Sequence, residues 1–547
     1  MFDFKGLISA LLRRPPSDGV HNLKSATIWV QELPQGDIHQ AQIEIVKTIS
    51  ALNANPKLGA KERFKTILYL DEKAQALQTS LCDDYIADTG FGRHYLPTIM
   101  AFWSEMANAY KTCLRQYVEK PIRSLSADLP LITVRGLYHF SMIARWHHLR
   151  YLPVDARIWR NLHRLYLFSE TEGFANEPIK RFPDQLPTTT SQTYLAALML
   201  DLAAPTSLLP TQILQVSTWL ESWAQHLTLD SQVRPYRQLF AVNLEESKPA
   251  RKLRRNMVDT KYRYWSTDTL IEHIEHVIEQ IRQGELPARL GLGESFRLPG
   301  GLDLLETIAN RWSREGASAT RKHERQPEKK NIQVIHGFQE TLEQLRHPER
   351  FKPARHAGKS NAGFEIVAST MPAMPEREAV QLDIEVREWK LENASPYGIG
   401  ASFTSEFDDD LVVGDLIGLK PEEQTRFAIG IVRRIQKDKS GNVYAGIETI
   451  NHTPILVELH AEQLDDAVSV AHSTGHSQAI YLPEADGGAI PRCLLLPADH
   501  FASGKIVQMR AQGKAFTIKL KPAIEQTTDY ARAPFAVLAK HVVALAV

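Results

Sequence analysis

The spacing of apolar residues along the chain changes once, from a period near 3.6 to a period near 2. From about Asp37 to Trp312 the pattern is predominantly helical. Asp37 with Gln40 makes a capping-box-like start, after which Ile38, Ala41, Ile45, Ile49 and Leu52 line one face and Pro56 closes the helix. Residues 95–118 read as a long helix whose apolar positions, among them Ile99, Phe102, Trp103, Met106 and Tyr110, are numerous enough to demand neighbours on most sides. A helix pair follows over 136–149 and 156–171, stopped at Gly173, then helices near 193–202 and 210–227. This series predicts antiparallel helical hairpins. Residues 239–242 predict a short strand, and Arg251, Lys252, Arg254 and Arg255 a basic loop. Thr267 or Asp268 then caps an amphipathic helix with Leu270, Ile274, Val277, Ile278 and Ile281 on one face, ending at Gly284.

Residues 313–331 are polar and charged without periodicity, which predicts a linker. Beyond them the alternation becomes that of strands, at 332–335, 384–391, 401–403, 415–419, 427–435 and 443–450, apart from a helical piece near 338–346 and a polar, Pro-containing stretch at 347–376. Short strands separated by turn signals indicate a barrel or sandwich. A further set, at 479–482, 492–496, 505–510, 515–520 and 535–547, is a second small β region or an extension of the first. The fold class expected is therefore α+β multidomain. The boundaries expected are an α-helical domain at 1–235, a mixed, mainly helical extension at 236–312, a linker at 313–331, a β domain at 332–460, and a C-terminal β region at 461–547.

Charge changes this picture locally, not globally. Lys+Arg and Asp+Glu both number 64, which argues against a protein built to bind DNA or RNA. Yet residues 311–360 hold 12 basic against 6 acidic residues, and 401–470 hold 6 against 13, an arrangement that can hold a small anion. Cys82, Cys113 and Cys493 have no paired spacing, so neither a disulfide framework nor a zinc knuckle is expected and a reducing cytoplasm fits. No apolar run is long enough for a transmembrane helix. The apolar start at 1–12 contains Asp3 and lacks a small-residue cleavage site, so it reads as a packed or frayed terminus, not a signal peptide.

The turn Asn393-x-Ser395-x-x-Gly398 has the form [D/N]-x-S-x-x-G. It is followed in order by Gly414-Asp415-Leu416, by the strand from Ala428 to Ile435 containing Gly430-Ile431-Val432-Arg433, and by Gly446-Ile447-Glu448. This ordered set resembles the PilZ domains, a family of β-barrels whose usual ligand is cyclic di-GMP. PilZ domains also carry R-x-x-x-R ahead of their first strand. Arg321 and Arg325 fit that form and precede a predicted strand, although 67 residues separate Arg325 from Asn393, so an insertion must lie between the first two strands. The resemblance thus implies that the β domain at 332–460 is a PilZ-like β-barrel with an insertion at about 338–376. Arg251/Arg255 and Arg346/Arg350 match the same form without that context.

The resemblance implies that Arg321 and Arg325 grip phosphate and guanine while Asn393, Ser395 and Gly398 cradle the other base. The chemistry suits this: a guanidinium fork matches phosphate oxygens and the O6/N7 edge of guanine, and a turn of short side chains lets a ligand approach the backbone. The function implied is that of a cytoplasmic bacterial signalling effector that binds cyclic di-GMP and alters the binding of a protein partner through its helical region. The alternative is a degenerate PilZ scaffold that binds no nucleotide and acts only in protein–protein interaction.

Other motifs carry less. Trp159-x-x-Leu162-His163-x-x-Tyr166 has the form of a tetratricopeptide opening, but no second copy follows. His273-x-x-His276 reads as a wet helix face, His147-His148 as a polar helix edge, and Asp408-Asp409-Asp410 as a solvated loop. No arrangement of nucleophile, base and oxyanion donors appears, so neither an enzyme nor a cofactor or metal is expected.

Overall fold

The computed structural model describes residues 20–34, 36–87, 94–297, 300–316, 326–348, 386–404, 411–424, 426–461, 476–484, 491–511 and 514–542. The apolar start at 1–12, Arg321, Arg325, Arg350, most of the insertion and Asp408–Asp410 lie outside the described residues. The chain divides into two compact units, residues 1–320 and 321–547.

The first unit is built from helices α1 (Leu23–Gln31), α2 (Ile38–Ala54), α3 (Ala60–Ala87), α4 (Leu96–Glu119), α5 (Leu129–Leu149), α6 (Ala156–Thr171), α7 (Thr190–Leu202), α8 (Pro210–Trp223), α9 (Asp268–Arg282) and α10 (Gly300–Trp312). The Asp37 carboxylate accepts the Gln40 backbone N–H at 2.9 Å and so caps α2. In α4 the apolar positions from Ile99 to Tyr110 are buried by α2, α3 and α5. Helix α5 starts at Leu129, ahead of Gly136, which sits within it. That glycine has a packing reason: a Cβ there would stand 3.4 Å from Tyr110 Cβ and 3.5 Å from Leu165 Cδ1, so its absence lets α4, α5 and α6 approach closely. The apolar face expected for α9 is buried throughout.

A three-stranded sheet, β1 (Phe240–Asn243), β2 (Arg251–Lys252) and β3 (Tyr262–Trp265), has the order β2-β1-β3. The basic loop expected at 251–255 thus begins inside a strand, with Arg251 opposite Ala241 and Lys252 opposite Phe240. No described helix is long and apolar enough to cross a membrane.

The second unit contains two closed antiparallel barrels. The first comprises β4 (Gln326–His336), β5 (Arg387–Ser395), β6 (Gly398–Thr404), β7 (Leu416–Pro421), β8 (Ala428–Lys437) and β9 (Asn442–Asn451), in the closed order β4-β5-β6-β9-β8-β7, with α11 (Phe338–Arg346) after β4. Trp389, Leu391, Ala401, Ala445 and Ile447 are buried in it. Strand β4 starts at Gln326, six residues before the alternation suggests, because Gln326–Asn331 are polar on both faces and are held by backbone pairing to β5.

The second barrel comprises β10 (Ile455–Ala461), β11 (His476–Leu482), β12 (Cys493–Pro497), β13 (Ile506–Ala511), β14 (Lys514–Leu520) and β16 (Tyr530–Val542), closed by β12 pairing with β16, with β15 (Glu525–Gln526) added to β16. Its core holds Val457, Leu459, Ala479, Leu494, Leu496, Val507 and Ile518. The alternate residues Ile480, Leu482, Cys493 and Leu495 pack with Leu416, Ile429, Ile431 and Ile450 of the first barrel and with Phe338 and Leu342 of α11. Burial on both faces explains the uninterrupted apolar run of β12.

Candidate functional site

The hairpin joining β5 to β6 carries the Asn393–Gly398 motif. Ser395 stands opposite Gly398, leaving Pro396 and Tyr397 as the turn. The Ser395 hydroxyl donates to the Gly398 carbonyl at 2.9 Å, and the Tyr397 carbonyl accepts the Thr449 N–H at 3.1 Å, which ties the turn to β9. Gly398 is the extended first residue of β6.

One irregularity aims the motif. Leu391 pairs with Ala401, but Asn393 pairs with Gly400, so Glu392 is an extra residue in β5. Strict alternation after the buried Leu391 would turn Asn393 into the core; the bulge turns Asn393 and Ser395 to the outer face instead. The Glu392 carboxylate is held there by the Ser402 hydroxyl at 2.6 Å. The Asn393 side chain lies over Gly400, where a Cβ would come within 2.8 Å of its Oδ1.

Two neighbouring strands frame this face. In β4, Gln326 stands opposite Ala394 and Pro327 opposite Asn393. In β9, Glu448 stands opposite Gly398 and Gly446 opposite Gly400. Glu448 accepts from Arg433 Nε at 2.7 Å, and Arg433 also forks onto Glu525 of β15, with Nη2 to Oε2 at 2.9 Å. Burial works against the charge of Arg433, but Glu525 and then Glu448 hold its pKa above the ordinary arginine value. Arg433 and Glu448 belong to the segments that carry the family resemblance; Glu525, from the second barrel, had no signal in the sequence.

Asn393, Ser395 and Gly398 are therefore together on one outward hairpin, and Arg321 and Arg325 lie outside the described residues. The sequence also gave no sign of a polar cluster inside the helical unit. Asp71 Oδ2 accepts from Tyr110 Oη at 2.7 Å, from His139 Nε2 at 3.0 Å and from Arg135 Nη1 at 3.1 Å, while Arg135 Nη2 donates to Glu72 at 2.8 Å. Asp71, Tyr110, Arg135 and His139 are all buried. His148, expected at a polar helix edge, is buried as well, 3.7 Å from Asp201. Burial pushes the Asp201 carboxyl up to about 7 and the His148 imidazole down to about 3. His273 is half-buried, its ring stacked on His226 at 4.4 Å, while His276 is exposed.

Three family models match the chain in order: cyclic-di-GMP receptor FimW, N-terminal domain, over residues 24–234; cyclic-di-GMP receptor FimW, middle PilZ domain, over 354–454; and FimW C-terminal beta-barrel domain, over 467–538. A relative from Pseudomonas aeruginosa, the cyclic-di-GMP receptor FimW, is 25% identical over 442 residues, covering 73% of this chain and 68% of the relative. No solved structure matches. With a helical region, a closed six-stranded barrel carrying the outward Asn393–Gly398 hairpin, and a second barrel, each met by its own model, the chain belongs to the PilZ-domain proteins.

Proposed function

We propose that the chain is a receptor for cyclic di-GMP, held on the outer face of the first barrel between the Asn393–Gly398 hairpin and Arg321 and Arg325. It acts in the cytoplasm, as a binding protein and not an enzyme, and ligand changes how its helical region engages a protein partner. The observation that carries this reading is the register at the start of β4. Arg325 is joined directly to Gln326, whose partner is Ala394, inside the motif. A segment entering there has the shortest possible path to Asn393 and Ser395. The bulge at Glu392 supports the reading too, because it presents those polar side chains to the ligand side. The relative's name, a cyclic-di-GMP receptor, supports the ligand class and the role of receptor.

Calorimetric titration of the full chain with cyclic di-GMP tests it. Saturable binding is expected, weakened by Arg321→Ala, Arg325→Ala and Ser395→Ala. No saturable binding at tens of micromolar, roughly 6–7 kcal/mol, overturns it. One observation favours a second reading, in which the barrel is kept without its arginine pair: the middle-domain match begins at residue 354, leaving out Arg321, Arg325 and β4. In that case the two arginine variants bind as the parent does or the parent does not bind.

A further inference from the structure

Five residues stand in one cross-strand row on the first barrel. Pro327 is opposite Asn393, Asn393 opposite Gly400, Gly400 opposite Gly446, and Gly446 opposite Arg434. With strands about 4.8 Å apart, Asn393 and Arg434 are separated by three steps, about 14 Å, and the two positions between them have no side chain.

These two glycines are not there for backbone conformation. Neither Gly400 nor Gly446 has a positive φ, and glycine within a strand costs about 0.5–1 kcal/mol against alanine. Gly400 is buried beneath the Asn393 amide, which takes the place a Cβ would fill, and Gly446 leaves a position without a side chain between that amide and Arg434, as glycine does in a strand where another group approaches closely. A Cβ at Gly446 would press on Arg434 Cβ at 3.3 Å, and one at Gly400 would displace the Asn393 side chain. A row that runs from the Asn393 amide, across a position without a side chain at Gly446, to an arginine suits a planar base laid against the sheet.

Arg434 closes the far end of this row. It is exposed, and its one hydrogen bond among the described residues is Nη2 to Gln436 Oε1 at 3.0 Å. Its neighbour Arg433 is occupied by Glu448 and Glu525, whereas no described carboxylate forms an ion pair with Arg434. A guanidinium has donors only. Guanine offers two acceptors, O6 and N7, on the edge where adenine offers N7 and an N6 donor. An arginine at the end of this row therefore favours guanine, which takes both arms of its fork, over adenine, which takes one.

We propose that Arg434 is the specificity-determining residue of the site, donating to the O6/N7 edge of a base that lies over Gly446, beside the Asn393 amide. This rests on the reading that cyclic di-GMP binds at the Asn393–Gly398 hairpin. The test is titration of the full chain with cyclic di-GMP and cyclic di-AMP, using the parent, Arg434→Ala, Arg434→Lys and Gly446→Val, with circular dichroism melting as a folding check. Arg434→Ala is expected to lose about ten- to a hundredfold in cyclic di-GMP affinity and little for cyclic di-AMP, so discrimination shrinks. Arg434→Lys, a point charge without the fork, is expected to restore less than tenfold of it. Gly446→Val is expected to weaken cyclic di-GMP while the chain stays folded. An Arg434→Ala variant that binds cyclic di-GMP like the parent, or that weakens both ligands equally, overturns the role of Arg434 while leaving the receptor reading intact. A parent that binds neither ligand overturns both.

Discussion

Arg135 in the helical unit and Arg433 at the seam of the two barrels each answer two carboxylates, yet their surroundings are opposite. The Arg135 side chain is 1% exposed and pairs with Asp71, itself 0% exposed, and with Glu72. The Arg433 side chain is 39% exposed and pairs with Glu448 and Glu525. Buried ions have given up water, so each depends on the other being present; breaking such a pair strands a charge in a medium that cannot solvate it. A half-exposed pair can exchange its partner for water at little cost. The same chemistry thus fixes the helical unit and leaves the seam adjustable, and the adjustable pair is the one beside the candidate ligand face, with Glu448 opposite Gly398.

The largest effect that could break this comparison is the loss of Arg135. Arg135→Met is expected to cost about 3–5 kcal/mol, because Asp71 stays buried without the guanidinium that also ties it to Glu72. Hydrogen exchange read by mass spectrometry on the full chain is expected to show lost protection in α3 and α5. Replacing both partners, Arg135→Met with Asp71→Leu, is expected to recover part of the loss, since the stranded charge is gone. Equal costs for Arg135→Met and Arg433→Met would erase the distinction between the two arginines.

Acid sharpens it next. Burial raises the Asp71 carboxyl, but the charge and hydrogen bond of His139, then Arg135 and Tyr110, outweigh it and hold it down to about 2. A carboxyl depressed in the folded state contributes stability that is complete above its unfolded value, about 3.9, and is lost as pH falls through the folded one. Roughly 2 kcal/mol is expected to disappear between about pH 4 and 2. Asp71→Asn is less stable at neutral pH and is expected to lack that part of the acid limb in denaturation curves taken at a series of pH values. An unchanged acid limb would show that Asp71 does not hold its charge in the folded unit.

How far these features were legible in the sequence differs between the two units for a physical reason. In the barrel, alternation names the buried set (Trp389, Leu391, Ala401, Ala445) directly, and the Asn393–Gly398 turn is local, so its residues are together both in sequence and in space. What alternation cannot register is a single extra residue such as Glu392, and that residue decides which face Asn393 takes. The polar start of β4 escaped for a related cause: strand pairing there is carried by backbone, and no apolar alternation marks it. In the helical unit, periodicity shows which face of a helix is apolar and not which neighbour meets it. Asp71 and Arg135 lie 64 residues apart on different helices, and each reads alone as a polar interruption. Their meeting is a tertiary fact.

On the ligand side of the comparison, Gly400→Ala is expected to lower cyclic di-GMP affinity about tenfold, about 1.4 kcal/mol. Its Cβ would stand 2.8 Å from Asn393 Oδ1, so the amide must swing off its position in the row. Because the clash falls on the end of a side chain and the φ is ordinary, melting temperature is expected to move little. Calorimetry beside a thermal melt separates the two: loss of fold with loss of affinity would mean that Gly400 serves packing alone.

Of the two arginines, Arg433 carries the smaller expected effect, and its smallness is the point. Arg433→Ala removes the link between Glu448 of the first barrel and Glu525 of the second; more than a third of each of Arg433 and Glu448 faces water and Glu525 is 17% exposed, so the cost in stability is expected to be about 1–2 kcal/mol, well below that of Arg135→Met. The seam also has an apolar part, Ile480, Leu482 and Leu495 against Leu416, Ile429 and Ile431, which the substitution leaves in place. The Tyr530 hydroxyl still donates to the Gly414 carbonyl at 3.0 Å across the same seam. Exchange is therefore expected to rise only in β15 and in the part of β9 around Glu448, with the core strands unchanged. Raising the salt concentration to 1 M, where screening acts within about 3 Å, is expected to reproduce that pattern in the parent and to add nothing in the variant. A loss of several kcal/mol on Arg433→Ala, or one insensitive to salt, would mean that the seam pair behaves like the buried one, and exposure would no longer separate the two arginines.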